Sequence, residues 1–297
     1  MEEKFNIKIK CEDNFELSGT LYKTKEIKAA IMITAAMGTK KQFYDSFAQF
    51  LSKKGYGVLT FDYRGIGEST RNSINGVNAS LINWGKLDMT AVLEELKLNF
   101  PNTSYHLIGH SAGGQLVGLM KNANELKSMF TFGCSSGSIK HSQFPFKLKS
   151  FFWFNFYIPV SNLLFGHTKS QWVGMGEPLP KLVAEEWGRW CKGENSVKVD
   201  LDQYVTEHLY NELTLKSLWV YAVDDEIVND KTMKDMIEVY TKIKSELTPL
   251  NPADYGFSEI GHMKFFSSKK EKLWNIVLHW LDKNKTLKPN KHQANSH

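Results

Sequence analysis

A chain of 297 residues, 42% of them hydrophobic, is long enough to bury a large core as one α/β domain or two small ones. Its net charge of +5 comes from lysines scattered along the chain, with no basic stripe interleaved with aromatics, so a nucleic-acid partner is not expected. Cys11, Cys134 and Cys191 form no C-x-x-C and no zinc spacing, and Met1 to Lys4 lacks an apolar leader. A reduced, cytoplasmic protein without metal or other cofactor is therefore the expectation, while its oligomeric state is left open.

Phe5 to Lys10 and Phe15 to Tyr22 alternate apolar and polar residues around Glu12-Asp13-Asn14, which predicts an antiparallel hairpin. Ala29 to Thr34 is a continuous apolar run, as in a strand covered on both faces. A small-residue loop, Ala35-Ala36-Met37-Gly38-Thr39, leads to a helix over Gln42 to Lys54, with Phe43, Phe47, Phe50 and Leu51 at helical spacing. Val58 to Phe61 is the next buried strand, so the two strands and the helix make a parallel crossover unit. Asp62 to Ser69 (Asp-Tyr-Arg-Gly-Ile-Gly-Glu-Ser) predicts a sharp turn and lacks the Gly-Lys-Ser/Thr ending of a nucleotide loop. Trp84 to Phe100 is helical, with Leu87, Val92, Leu93 and Leu96 inward. Tyr105 to Ile108 and Met129 to Phe132 are strands.

From about 138 to 210 the alternation breaks into an aromatic- and proline-rich insertion, whose length points to a lid. Ser150 to Gly166 is nearly uncharged but falls short of the ~20 apolar residues of a membrane span, and Asn155, Pro159, Ser161 and Asn162 interrupt it. A lid lining the pocket is the favoured reading and a membrane-surface contact the less favoured one. Leu218 to Ala222, a helix over Asp230 to Lys244, a last strand at Tyr255 to Ile260 and a helix over Glu271 to Leu281 complete a single domain, 1–281, before a polar tail, 282–297, expected to be disordered.

Gly109-His110-Ser111-Ala112-Gly113 stands between the strand at Tyr105 to Ile108 and a helix-compatible stretch. Gly-x-Ser-x-Gly alone is a weak signal. Between strand and helix it describes a turn too tight for flanking side chains, with a serine hydroxyl exposed in a strained conformation. A serine needs an adjacent base, and the base an orienting acid. Ser111, Asp225 and His262 follow in the chain order serine, acid, histidine, each after a predicted strand, with Asp224 the competitor for the acid. His110 is expected to pack or hydrogen-bond rather than react. Backbone amides of Ala112 and of the Gly38-Thr39 segment, Thr39 first and Met37 second, are expected to hold the oxyanion. Met37, Trp153 and Phe156 are expected to face an apolar or aromatic acyl substrate.

From Phe5 to about Leu281 the chain resembles the α/β-hydrolases, and Asp62 to Ser69 is similar to the Asp-x-Arg-Gly-x-Gly-x-Ser turn common in that superfamily. A nearer likeness is to a bacterial branch beside the serine aminopeptidases and monoacylglycerol lipases, carried by Asp62 to Ser69, Gly109 to Gly114 and Glu186-Trp187-Gly188-Arg189-Trp190-Cys191. The resemblance implies a mostly parallel sheet with helices on both faces, a helical lid insertion and the same triad, but no settled substrate. Many relatives have His-Gly where this chain has Met37-Gly38. The reading is a serine hydrolase acting on a carboxylic ester or related acyl bond. Its rivals are an aminopeptidase or amidase, with Glu185 or Glu186 at the pocket mouth, a thioesterase or acyltransferase, and a non-catalytic binding protein.

Overall fold

The structure, a computed structural model, describes residues 3–70, 73–193 and 195–284. β1 (Glu3–Lys10) and β2 (Glu16–Lys23) form the hairpin that their alternation predicts. β3 (Ala29–Thr34) and β4 (Tyr56–Phe61) are buried along their whole length and pair in parallel across α1 (Asp45–Lys53). Phe47 and Leu51 of α1 are buried, whereas Phe43 lies in the preceding 3-10 turn and is half-exposed. A second helical rod runs from α2 (Leu81–Asn83) through a π-helical turn (Trp84–Met89) into α3 (Thr90–Asn99). The wide turn moves the side-chain register, so Asp88 takes the interior position and Leu87, expected inward, is only partly buried.

β5 (Tyr105–His110), α4 (Ala112–Gln115) and β6 (Leu126–Phe132) follow. Residues 133–215 then leave the strand–helix alternation. They carry α5 (Phe146–Phe152), a second π-helical turn (Trp153–Tyr157), α6 (Ile158–Phe165), the short strands β7 (His167–Thr168) and β8 (Leu179–Pro180), and α7 (Lys181–Lys192). β9 (Lys216–Ala222), α8 (Asp230–Ile237), β10 (Lys244–Leu250) and α9 (Glu271–Asn284) complete the body.

The last strand is β10 and not Tyr255 to Ile260, which forms the end of a 3-10 turn and an irregular loop. β10 is polar, mostly exposed and contains Pro249, so neither hydrophobicity nor β-propensity marks it. It is the sheet's edge strand, where a proline's missing N–H removes no necessary ladder bond. Its start shortens the helix expected over Asp230 to Lys244 to α8. α9 runs three residues past the domain boundary expected at 281, and the rest of the tail lies outside the described residues.

The large sheet has the order β1-β2-β4-β3-β5-β6-β9-β10, antiparallel at β1-β2-β4 and parallel beyond. The chain winds from β3 outward to β4, then returns past β3 to β5. Right-handed crossovers in opposite directions put α1 and α3 on opposite faces. α9 joins α1, where Phe47 meets Trp274 edge-on with ring centroids 5.3 Å apart. The winding reverses between β3 and β5, so the loops after these strands flank the crevice in which open α/β sheets bind ligands.

Candidate active site

Ser111 directly follows β5 and precedes α4, with φ 51° and ψ −120°. The elbow is held by its amide donating to the Phe132 carbonyl (2.9 Å) and its carbonyl accepting from Gly114 (3.1 Å). Its glycines are steric requirements. A Cβ on Gly113 would stand 2.4 Å from the Thr34 carbonyl oxygen, and one on Gly109 would stand 2.8 Å from Gly114 Cα. No nearby side chain could yield to either atom. Positive φ in a non-glycine residue is strain that the surrounding turn maintains.

Asp225 lies three residues past β9, and His262 lies in the loop between β10 and α9. The structure brings them together, with His262 Nδ1 2.7 Å from Asp225 Oδ2. The other carboxylate oxygen accepts from the amides of Ile227 (2.8 Å) and Val228 (3.2 Å), which fixes the buried side chain. Asp224 points elsewhere. It accepts from the amides of Ile260 (2.9 Å) and Gly261 (3.1 Å) and so anchors the turn that carries His262. The adjacent aspartates hold the histidine by its ring and by the backbone of the two residues before it.

A third tether passes through His110, which sequence reasoning left without a partner. Its Nε2 is 2.9 Å from the carbonyl oxygen of His262, and a carbonyl only accepts, so the proton sits on Nε2. Nδ1 then accepts from the Tyr44 hydroxyl (2.8 Å), whose oxygen accepts from the Ala36 amide (2.9 Å). Burial, and secondarily the neighbouring His262, push the His110 pKa well below the ordinary histidine range, so it stays a neutral connector. This chain ties the loop after β3, the residue before Ser111 and the His262 backbone into one unit. No spacing in the sequence advertises Tyr44. Cys134, packed under the elbow, is pushed up to about 12 by burial and is an unreactive thiol.

The loop after β3 corrects one expectation. The Thr39 amide donates to the Ala36 carbonyl (3.1 Å) inside a tight turn, and the Ala36 amide is taken by Tyr44. Among the described residues the Met37 amide has no such bond, and its neighbour Gly38 holds the turn with φ 62°. Ala112 is the first residue of α4, where helix amides have no intrahelical acceptor.

Of the aromatics expected against substrate, Trp153 is 7% exposed and stacks on Tyr157 at 4.8 Å. Phe156 is 54% exposed and stacks on Phe152 at 5.9 Å, so it faces outward. Glu186 is likewise no pocket-mouth carboxylate. It is buried and accepts from the Leu81 amide (2.6 Å), while Glu185 is exposed beside Asn162. The insertion does reach the crevice at its far end. The Glu177 amide donates to the Gly38 carbonyl (2.8 Å), and a Cβ on Gly176 would stand 2.4 Å from that oxygen.

Residues 25–151 match the family model for serine aminopeptidase, S33. No curated protein matches the chain in sequence. Among solved structures, an esterase of Pyrococcus furiosus is similar at 16% identity and a TM-score of 0.62, over 96% of this chain and 92% of that one. A soluble variant of the monoglyceride lipase of Saccharomyces cerevisiae, in complex with a substrate analog, is similar at 15% identity and a TM-score of 0.66, over 97% and 96%. An acylaminoacyl peptidase of Pyrococcus horikoshii shares 12% identity at a TM-score of 0.61, over 97% of this chain and 43% of that one. With its sheet order, its serine elbow at the winding reversal and these likenesses, the chain is an α/β-hydrolase in fold.

Proposed function

We propose that the protein is a serine hydrolase that cleaves a carboxylic ester or related acyl bond through an acyl-enzyme on Ser111. The observation that carries this reading is a strained elbow serine together with a histidine that is tied through His110 to the residue before that serine and whose Nδ1 is held by a buried carboxylate at 2.7 Å. With Nδ1–H donating to Asp225, Nε2 of His262 is left to take the proton of the Ser111 hydroxyl as its oxygen attacks the acyl carbon. The carbonyl becomes an oxyanion, received by the amides of Ala112 and Met37. Collapse expels the alcohol, which leaves with the proton from His262. A water then repeats the sequence, releasing the acid and restoring the serine. Met37 replaces Thr39 in this account because the Thr39 amide is already bonded.

The insertion acts as a lid in this reading, supported by the seating of Gly176 and Glu177 on the loop that carries Met37. Met37 and the buried Trp153 are the pocket residues that remain. The esterase and lipase among the structural relatives favour an ester. The S33 match keeps amide cleavage as the second reading, although Glu186 is spent on Leu81 and offers no partner to a free amine. A fluorophosphonate probe should label the protein and fail to label Ser111→Ala. That variant should keep its fold and lose several orders of magnitude in turnover on a panel of acyl esters and aminoacyl amides. Labelling or near-normal turnover in the variant would overturn the assignment.

A further inference from the structure

The rod formed by α5, its π-helical turn and α6 presents its sides in the reverse of the usual order for a water-facing helix. Leu148, Phe152, Phe156, Val160 and Leu164 recur every four residues, and with Leu163 they are 53–83% exposed. The opposite side buries polar residues: Ser150, Ser161 and Asn162 lie inward beside Trp153, Phe154 and Ile158. A surface helix in water places its apolar stripe toward the core.

Rotation of the rod is not free to correct this. Ser161 donates to the His167 carbonyl (3.1 Å) and accepts from the Lys169 amide (2.9 Å), while Asn162 accepts from the Thr168 hydroxyl (2.7 Å). The end of α6 is further tied to the body by Asn75, which donates to the Phe165 carbonyl (3.0 Å). Specific polar contacts therefore hold the apolar stripe outward. A contiguous exposed stripe of this kind marks an interaction surface.

Charge indicates what covers it. Residues 126–176 contain no Asp or Glu, while α5 itself carries Lys147 and Lys149. Lys149 has a long, exposed contact with Glu226 at 3.9 Å. At the other end Lys169 lies over the rings of Phe165 and Trp172, and Trp172 is 64% exposed. Apolar side chains along a rod about 30 Å long, lysines near its ends and an exposed tryptophan match the layering of a bilayer surface. A two-fold contact with a second copy would instead bring the same lysines together. Among the described residues no helix is long and apolar enough to cross a membrane, so the rod would lie in the interface plane.

We propose that the outward face of residues 146–165 docks on an anionic lipid bilayer. The proposal is independent of the chemistry at Ser111. Cosedimentation of the full chain with phosphatidylglycerol–phosphatidylcholine vesicles should show binding, and phosphatidylcholine alone should bind more weakly. Phe152→Ser with Phe156→Ser should weaken partitioning by about a hundredfold, since two apolar rings stay in water. Lys147→Gln with Lys149→Gln should weaken it on anionic vesicles by roughly twenty- to thirtyfold and leave phosphatidylcholine binding unchanged. All four side chains are solvent-facing, so circular dichroism should match the parent chain. Absence of binding to anionic vesicles, or binding that neither pair alters, overturns the proposal. So does a lipid-free dimer in sedimentation velocity that Phe152→Ser with Phe156→Ser dissociates while vesicles capture nothing.

Discussion

His262 sits on an irregular loop, and three independent contacts keep it in place. Asp225 holds the ring, Asp224 holds the amides of Ile260 and Gly261, and His110 holds the carbonyl. The two aspartates are neighbours in sequence, so their roles cannot be separated by spacing alone. Direction separates them, because one carboxylate reaches an imidazole nitrogen and the other reaches backbone. Asp225→Asn should therefore cost about 10⁴ in turnover, since an amide no longer fixes the imidazole in the required tautomer. Asp224→Asn retains an oxygen that can accept from the same amides and should cost within about tenfold. Steady-state kinetics on a short soluble ester compares the two, and equal losses or the reverse order would remove Asp225 from the proposed triad. The elbow at Ser111 and the pairing of Asp225 with His262 were legible because nucleophilic chemistry restricts residue type and order. The state of the loop after β3 was not, because which amide is engaged depends on a turn: the Thr39 amide is taken by the Ala36 carbonyl, which is why the proposed mechanism uses Met37.

At the level of elements, the sequence reads best where burial is complete. β3, β4, β5 and β6 are almost wholly buried, each around a short apolar stretch, and lie within a few residues of their expected positions. β10 was missed because an edge strand may be polar and may carry proline, and neither pattern separates it from a loop. The π-helical turn at Trp84–Met89 was missed because its reward lies far away in the chain. It turns Asp88 inward to meet Arg64, with Nε to Oδ1 at 2.6 Å, while the Arg64 amide reaches the other oxygen at 2.9 Å. The elbow shows the opposite case, in which local packing dictates the residue. Gly113→Ala sets a methyl 2.4 Å from a backbone oxygen of β3, so α4 and β3 must part. Overpacking of this size costs about 1–3 kcal/mol, or roughly 5 °C in Tm for a chain of this length, together with most of the activity. Gly76→Ala meets nothing within 4 Å and should be close to neutral. Equal melting temperatures for the two variants, by differential scanning calorimetry, would contradict the steric account of the elbow.

For the molecule as a whole, the central question is how an 83-residue departure from the alternation, residues 133–215, stays attached to the sheet domain. Gly65 receives Pro180, Gly38 receives Gly176 and Glu177, and Asp200 clamps Arg189 and the Trp190 indole within the insertion itself. Glu186 is one of several buried polar links between the two parts, for its carboxylate on α7 caps Leu81 at the start of the body's helical rod. A carboxylate accepting amides at a helix start is favoured electrostatically. Burial outweighs that effect and pushes the Glu186 pKa up to about 7, while the Leu81 and Ile82 amides and Arg189 pull it down. A carboxyl whose folded pKa lies above its unfolded value of about 4.5 gives stability that is full below pH 4.5 and lost as pH rises through 7. Asp88, pushed up to about 6 by burial, acts in the same direction whatever stands at position 186. The difference between the parent chain and Glu186→Gln therefore isolates the link. Glutamine keeps an oxygen for the Leu81 amide and cannot ionise, so the parent should lose Tm relative to Glu186→Gln between pH 5 and pH 8. Glu186→Leu leaves those amides buried without an acceptor and should be destabilised at every pH, by about 1–3 kcal/mol. Thermal melts of the three proteins across that range provide the test. Parallel curves for the parent and Glu186→Gln would mean that Glu186 does not titrate at this contact.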